Sequence, residues 1–221
     1  RGFMERIQGA EPFARYYSTA EEMMLHLLEI DNQAGERFFL EYQPCFAVWA
    51  DRELVEAVVA KDIPRRRELI EGFLQRTAQL ADVGRFCHFF TEEGIREFAE
   101  TGICADYPRE YTRPLTLKER RLILDRIAQS IENGEGEIGF INEKSLKLTK
   151  RLNAFASGGC GLSLILYDER LGYRFLLIRE NSLCRSFMEY IGSMEENGDV
   201  HSREKNIAMI RKYANSLPEQ E

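Results

Sequence analysis

The sequence has no apolar run near the roughly 18 residues that a membrane-spanning helix needs, so it is not read as an integral membrane protein. It has no Cys-x-x-Cys pair, and its three histidines, His26, His88 and His201, are scattered. Structural zinc sites draw on paired, closely spaced ligands, so no metal is expected, and no cofactor is assigned. Basic residues are not in excess: 30 Lys and Arg stand against 37 Asp and Glu, a net charge of −7. A nucleic-acid grip needs a basic face, so the chain as a whole is not read as one. The basic stub and apolar core of a signal peptide are also missing. What remains is 221 residues, 44% hydrophobic and 11% aromatic, enough for one or two domains with a real core. The five cysteines (Cys45, Cys87, Cys104, Cys160, Cys184) are odd in number, widely spaced and set among apolar residues. That usage reads as reduced, buried thiols in a cytoplasmic protein rather than a disulfide scaffold.

Along the chain, Ser18-Thr19-Ala20-Glu21 reads as a capping box opening a helix with Met24, Leu27 and Leu28 inward. Arg37 to Gln43 reads as a buried strand, and Cys45 to Trp49 as a second one after Pro44. Asp51 caps a helix carrying Leu54, Val55, Val58 and Val59. Pro64 suits the first turn of the next helix, with Leu69, Ile70, Phe73 and Leu74 inward. Arg85 to Phe90 is a strand, followed by a helix capped by Thr91 and stopped by Gly102. Residues 103–114 are irregular. Thr116-Leu117-Lys118-Glu119 is a second capping box, opening a helix with Ile123, Ile127 and Ile131 inward that ends at Asn133-Gly134. Four strands follow, Glu137 to Ile141, Leu152 to Ala156, Leu162 to Tyr167 and Tyr173 to Ile178, the last two joined by a hairpin-length turn. Two helices close the chain: Ser182 to Glu195 with Leu183, Phe187, Tyr190 and Ile191 inward, and Ser202 to Leu217, in which Ile207, Ile210 and Leu217 are equally plausible as interface or core.

Early interleaving and late strands predict an α/β (or α+β) fold with a mixed β-sheet flanked by helices. A single domain over 1–221 is expected, with 1–134 and 135–221 as candidate sub-halves. Arg85-Phe86, Arg96, Phe98 and Glu100 recur 89 residues later as Arg174-Phe175, Arg185, Phe187 and Glu189, a weak echo that a pseudo-two-fold duplication or shared strand-helix grammar would leave.

No catalytic set is assigned. Ser157-Gly158-Gly159-Cys160-Gly161 lacks the Lys and spacing of a phosphate-binding loop and reads as a strand connection. The HxKxxxxD signature of phospholipase D enzymes is absent. Cys160 or Cys45 with His88 as base is the one thiol pairing to consider, giving a hydrolase or transferase alternative. A catalytically dead phospholipase-D-like fold is the other alternative. Alternation puts His88 on the strand face opposite Cys87 and Phe89, where a satisfied core histidine is the plainer reading. Arg65-Arg66-Arg67 and Arg120-Arg121 sit in first helical turns with acids close by and read as solvated faces. Tyr42, Cys45, Phe46 and Trp49 concentrate aromatics around a proline break and, with His88, form the candidate ligand pocket, with Tyr107 and Arg109 as its lid.

The stretches RYYSTAEEMMLHL, FFTEEGIREFAETG, PLTLKERRLIL and RFLLIRENSLCRSFMEYI are similar to the C-terminal regulatory region of bacterial helix-turn-helix regulators of the phage-repressor-like, xenobiotic-response-element class. The resemblance implies an α/β sensor that binds a small-molecule effector and dimerises. It also implies that DNA is reached through an N-terminal domain, which this chain, beginning Arg1-Gly2-Phe3, is expected to lack.

Overall fold

The computed structural model describes residues 14–17, 20–31, 35–79, 84–105, 107–146, 152–157, 161–168 and 172–218. The strands are β1 (Ala14–Tyr17), β2 (Glu36–Glu41), β3 (Arg85–Phe90), β4 (Glu137–Phe140), β5 (Leu152–Ser157), β6 (Gly161–Asp168) and β7 (Gly172–Ile178). The helices are α1 (Ala20–Asp31), α2 (Arg52–Val58), α3 (Arg66–Gln79), α4 (Glu92–Thr101), α5 (Leu117–Asn133), α6 (Asn181–Ser193) and α7 (Arg203–Ser216). The strands form one mixed sheet in the order β1-β7-β6-β5-β2-β3-β4, and the fold is α/β.

The sheet's two halves follow from the connections. Parallel neighbours need long crossovers. β2, β3 and β4 are parallel, and α2 to α5 lie in the links between them. β5, β6, β7 and β1 pair antiparallel, and β5 closes against β2 antiparallel, Phe39 opposite Phe155. Strands from 1–134 and from 135–221 therefore alternate in a single sheet.

Local chemistry sets the helix ends. The Asp51 and Thr91 side chains accept from the backbone N–H of Leu54 and Gly94. Thr116 and Glu119 form the reciprocal capping box. Gly102 (φ 69°) and Gly134 (φ 71°) terminate α4 and α5 in the left-handed region, where a side chain is disfavoured. Ser18 and Thr19 of the first expected box lie outside the described residues.

Three expectations change. Cys45 to Trp49 is not a strand: the chain leaves the sheet after Glu41, passes Pro44 and closes a 3-10 turn at Phe46–Val48, with Val48 N–H donating to the Cys45 carbonyl at 3.1 Å. Pro64 precedes α3 rather than entering it, because Arg65 turns left-handed (φ 52°). Leu183 and Tyr190, expected inward, are 45% and 42% exposed, because α6 turns Cys184 and Ile191 to the sheet instead.

Alternation divides the core. One face of the sheet carries Phe39, Phe86, Phe90, Phe155 and Phe175 and packs on α1 to α5 and α7. The other carries Phe38, Leu40, Cys87, Phe89, Ala154, Ala156 and Leu162 and is covered by α6 and the turn after it. Ile210 and Leu217 of the last helix are core, pressed against α5, so they form no surface.

Candidate functional site: a buried polar cluster and the cleft beside Trp49

The first face of the sheet is not purely apolar. Glu41 at the end of β2 and His88 on β3 point into it, and both are buried. His88 Nε2 lies 2.7 Å from Glu41 Oε2. The same carboxylate oxygen accepts from the Cys45 N–H at 3.3 Å. The His88 ring stacks on Phe39 (centroids 5.0 Å apart) and on Trp49 (5.1 Å), with Phe86 and Phe90 edge-on. Aromatic faces fix the ring plane, and the carboxylate fixes its rotation.

A second layer sits over this pair. The Cys45 Sγ and Tyr107 Oη are 2.9 Å apart. Tyr107 packs edge-to-face on Phe46 and Phe73. The loop carrying it is pinned from both sides. Tyr173 Oη donates to the carbonyls of Ala105 and Tyr107, and Ala105 N–H donates to Gln43 Oε1 at 2.8 Å. Farther along, Ala60 N–H donates to Tyr111 O and Arg113 N–H to Val58 O. Gln43 Nε2 and Ser163 Oγ are buried with no hydrogen-bond partner among the described residues, a state that costs about 1–3 kcal/mol per group.

Of the residues expected to form a pocket, Cys45, Phe46, Trp49, His88 and Tyr107 come together in this cluster. Tyr42 is equally buried, but its hydroxyl leaves the cluster and donates to Glu97 Oε2 at 3.0 Å. Burial and the Glu97 carboxylate push its ionisation upward. Arg109 is exposed on the turn after Pro108 and joins none of these contacts.

Sequence reasoning missed Glu41, Gln43 and Asn153. Asn153 Oδ1 accepts from the Tyr42 N–H at 2.8 Å and joins β5 to the end of β2. The available signal was a carboxylate inside an aromatic strand, which has to find a partner when that strand lies in the middle of a sheet.

The cluster is packed, but one member reaches a surface cleft of about 920 Å³, in the size range of small-molecule sites. Its apolar wall is Val48, Trp49, Phe86 and Ile138, and its polar rim includes Thr77, Ser130 and Glu135. Arg85 and Glu137 face each other at one end, Nη2 to Oε1 at 2.7 Å. A second cleft, of about 710 Å³, lies among α4, α5 and α7. Its Arg120 guanidinium is occupied by the carbonyls of Ala99, Glu100 and Leu115.

The basic runs have structural duties. Arg66 donates to the carbonyls of Glu56, Val59 and Ala60 at the end of α2, as Arg120 does at the end of α4. A cation is favourable at a helix C-terminus. Arg65 pairs with Glu68.

Burial raises the Cys87 thiol to about 12, with Glu137 adding to the effect. Cys160 and its flanking glycines Gly158 and Gly159 lie outside the described residues, between β5 and β6, whose pairing ends at Ser157 and Gly161. Among the described residues no group of three or more His, Cys, Asp and Glu could hold a metal ion. No described helix is long and apolar enough to cross a membrane.

The architecture is that of an α/β domain with a helix-covered mixed sheet, a buried polar cluster on one face and a cleft beside it. No family model and no curated protein matches the chain. Among solved structures it is similar to TrmBL2, described as an archaeal chromatin protein with a novel mode of DNA binding. The identity is 12% and the TM-score 0.41, over 89% of this chain and 58% of that one. The chain thus spans somewhat more than half the length of that structure.

Proposed function

We propose that this chain is a non-catalytic regulatory domain of a bacterial transcriptional regulator, cytoplasmic, binding a small-molecule effector and dimerising. In this reading DNA is contacted by a separate helix-turn-helix domain outside these 221 residues. The cleft beside Trp49 carries the effector assignment. It combines an apolar wall, a polar rim and an indole that stacks on His88, so an occupant would touch the outermost residue of the buried cluster. Its lining favours a small, flat, partly aromatic molecule with polar groups at its edge. Four buried cysteines outside any disulfide, Cys45, Cys87, Cys104 and Cys184, fit a reducing compartment.

The test is a thermal-shift screen against a metabolite library with fluorescence recorded alongside. Trp49 is the single tryptophan, so tryptophan emission reports on this one residue at the cleft wall. A ligand at 100 times its dissociation constant should stabilise by about 2.7 kcal/mol, a shift of several degrees. A hit that also moves Trp49 emission supports the reading. A hit that leaves emission unchanged places the effector elsewhere. A flat screen overturns the effector assignment and leaves dimerisation.

A further inference from the structure

Large apolar side chains left at the surface cluster on one side of this molecule. Leu122, Leu166, Leu183 and Tyr190 are the exposed ones among the described residues, and three of them lie on the α6 side of the sheet. Leu183 (45% exposed), half-buried Phe187 and Tyr190 (42%) follow i, i+4, i+7 spacing along one edge of α6. Leu166, on β6, lies on the same strand face as Leu162 and Leu164. The opposite sheet face has six helices over it, whereas this one has α6 and a turn.

The opposite edge of α6 carries Arg185 and Glu189, both exposed and neither in an ion pair among the described residues. Phe187 lies midway between them in sequence. A two-fold axis through that point sets each Arg185 against Glu189 of the second copy. It also sets each Leu183 near Tyr190 of the second copy, and the two Phe187 rings meet at the axis. Ser182 and Ser186, also exposed, separate the two edges and let the helices approach closely. A self-complementary patch of this kind is what a two-fold interface requires.

We propose that α6 is a homodimerisation surface, pairing antiparallel with α6 of a second copy through Leu183, Phe187 and Tyr190 and reciprocal Arg185–Glu189 ion pairs. This deepens the dimerisation half of the reading above and is independent of whether the Trp49 cleft binds an effector.

The experiment is analytical ultracentrifugation of the full chain and of the charge-reversal variants Arg185→Glu and Glu189→Arg, with circular dichroism and melting curves as fold controls. The full chain should dimerise at about 100 μM, where a micromolar dissociation constant leaves little monomer. Each reversal alone brings like charges together across the axis and should weaken self-association roughly tenfold or more. Mixing the two variants restores both pairs and should restore the dimer, an outcome that damage to the fold would not produce. Tyr190→Asp, on the apolar edge, should also yield a folded monomer. A full-chain dimer indifferent to all three substitutions would overturn the α6 interface while keeping the dimerisation reading. A full chain that stays monomeric would overturn both, and the apolar edge would then belong to a different partner.

Discussion

Trp49 stacks on His88 with ring centroids 5.1 Å apart and planes 22° from parallel, joining an open cleft to a buried histidine held by a carboxylate. The indole contacts solvent space on the cleft side and a histidine tied to Glu41 on the other. A change in either should register in its emission.

The Glu41–His88 pair should be costly to break. Its two side chains are 5% and 0% exposed, so His88→Ala removes a hydrogen-bond partner from a buried carboxylate and opens a cavity beside Trp49. Loss of one partner of a buried pair costs about 3–5 kcal/mol. Urea unfolding should show that drop, together with altered Trp49 emission in the folded baseline. A loss under about 1 kcal/mol would mean water already reaches the pair.

Gly94 should resist the substitution that helix propensity favours. Ala is better than Gly in a helix by about 1 kcal/mol. Yet a Cβ at position 94 would stand 1.8 Å from the Tyr42 carbonyl oxygen, which α4 approaches at its first turn. Overpacking of this kind costs about 1–3 kcal/mol or more. Gly94→Ala should therefore lower the melting midpoint, and an increase would contradict the close approach.

Glu119 should contribute to acid sensitivity. Hydrogen bonds from Arg113 hold its carboxyl down to about 2, against a little over 4 in an unfolded chain. A depressed folded value means its contribution is fully present above the unfolded value and disappears as pH falls toward about 2. Glu119→Gln should flatten stability against pH across that window; a Gln side chain still accepts from the Thr116 N–H, so the capping box persists and the charge pairing with Arg113 is what is lost. Unchanged pH dependence in the variant would remove Glu119 from the acid transition.

The thiols should be slow. Cys45, Cys87, Cys104 and Cys184 are buried away from the reagent, and burial pushes the Cys87 thiol up to about 12 and the Cys184 thiol upward, so little thiolate forms at those two at neutral pH. Iodoacetamide labelling followed by mass spectrometry should leave these four unmodified in the native chain and label them in urea. Fast labelling of Cys45 at pH 6.5 would revive a thiol-dependent activity.

Arg85 should couple the cleft to α6. It donates to Glu137 Oε1 at 2.8 Å and to the Gly192 carbonyl at 2.7 Å. Arg85→Ala should leave the sheet intact but speed amide exchange in the last turn of α6. Exchange rates equal to those of the parent chain would show that the contact is not holding the helix.

The features legible in the sequence are those whose partners lie within a few residues. Asp51, Thr91 and the Thr116–Glu119 box cap their helices as expected, because each accepts from a backbone N–H three residues on. Alternation likewise put His88 opposite Cys87, since successive strand residues face opposite sides. Periodicity fixes which side chains turn inward, but not what covers them. Ile210 and Ile207 read equally as interface or core until α5 packs against them, and Leu183 and Tyr190 read as inward until the structure turns Cys184 and Ile191 to the sheet in their place. Glu41 meets His88 across 47 residues, and Tyr42 meets Asn153 across 111. Such pairings depend on strand order, which is set by many weak packing contacts acting together across the whole chain. No short window of sequence contains them, so the site is a product of the tertiary structure, whereas its scaffold of capped helices and alternating strands is written residue by residue.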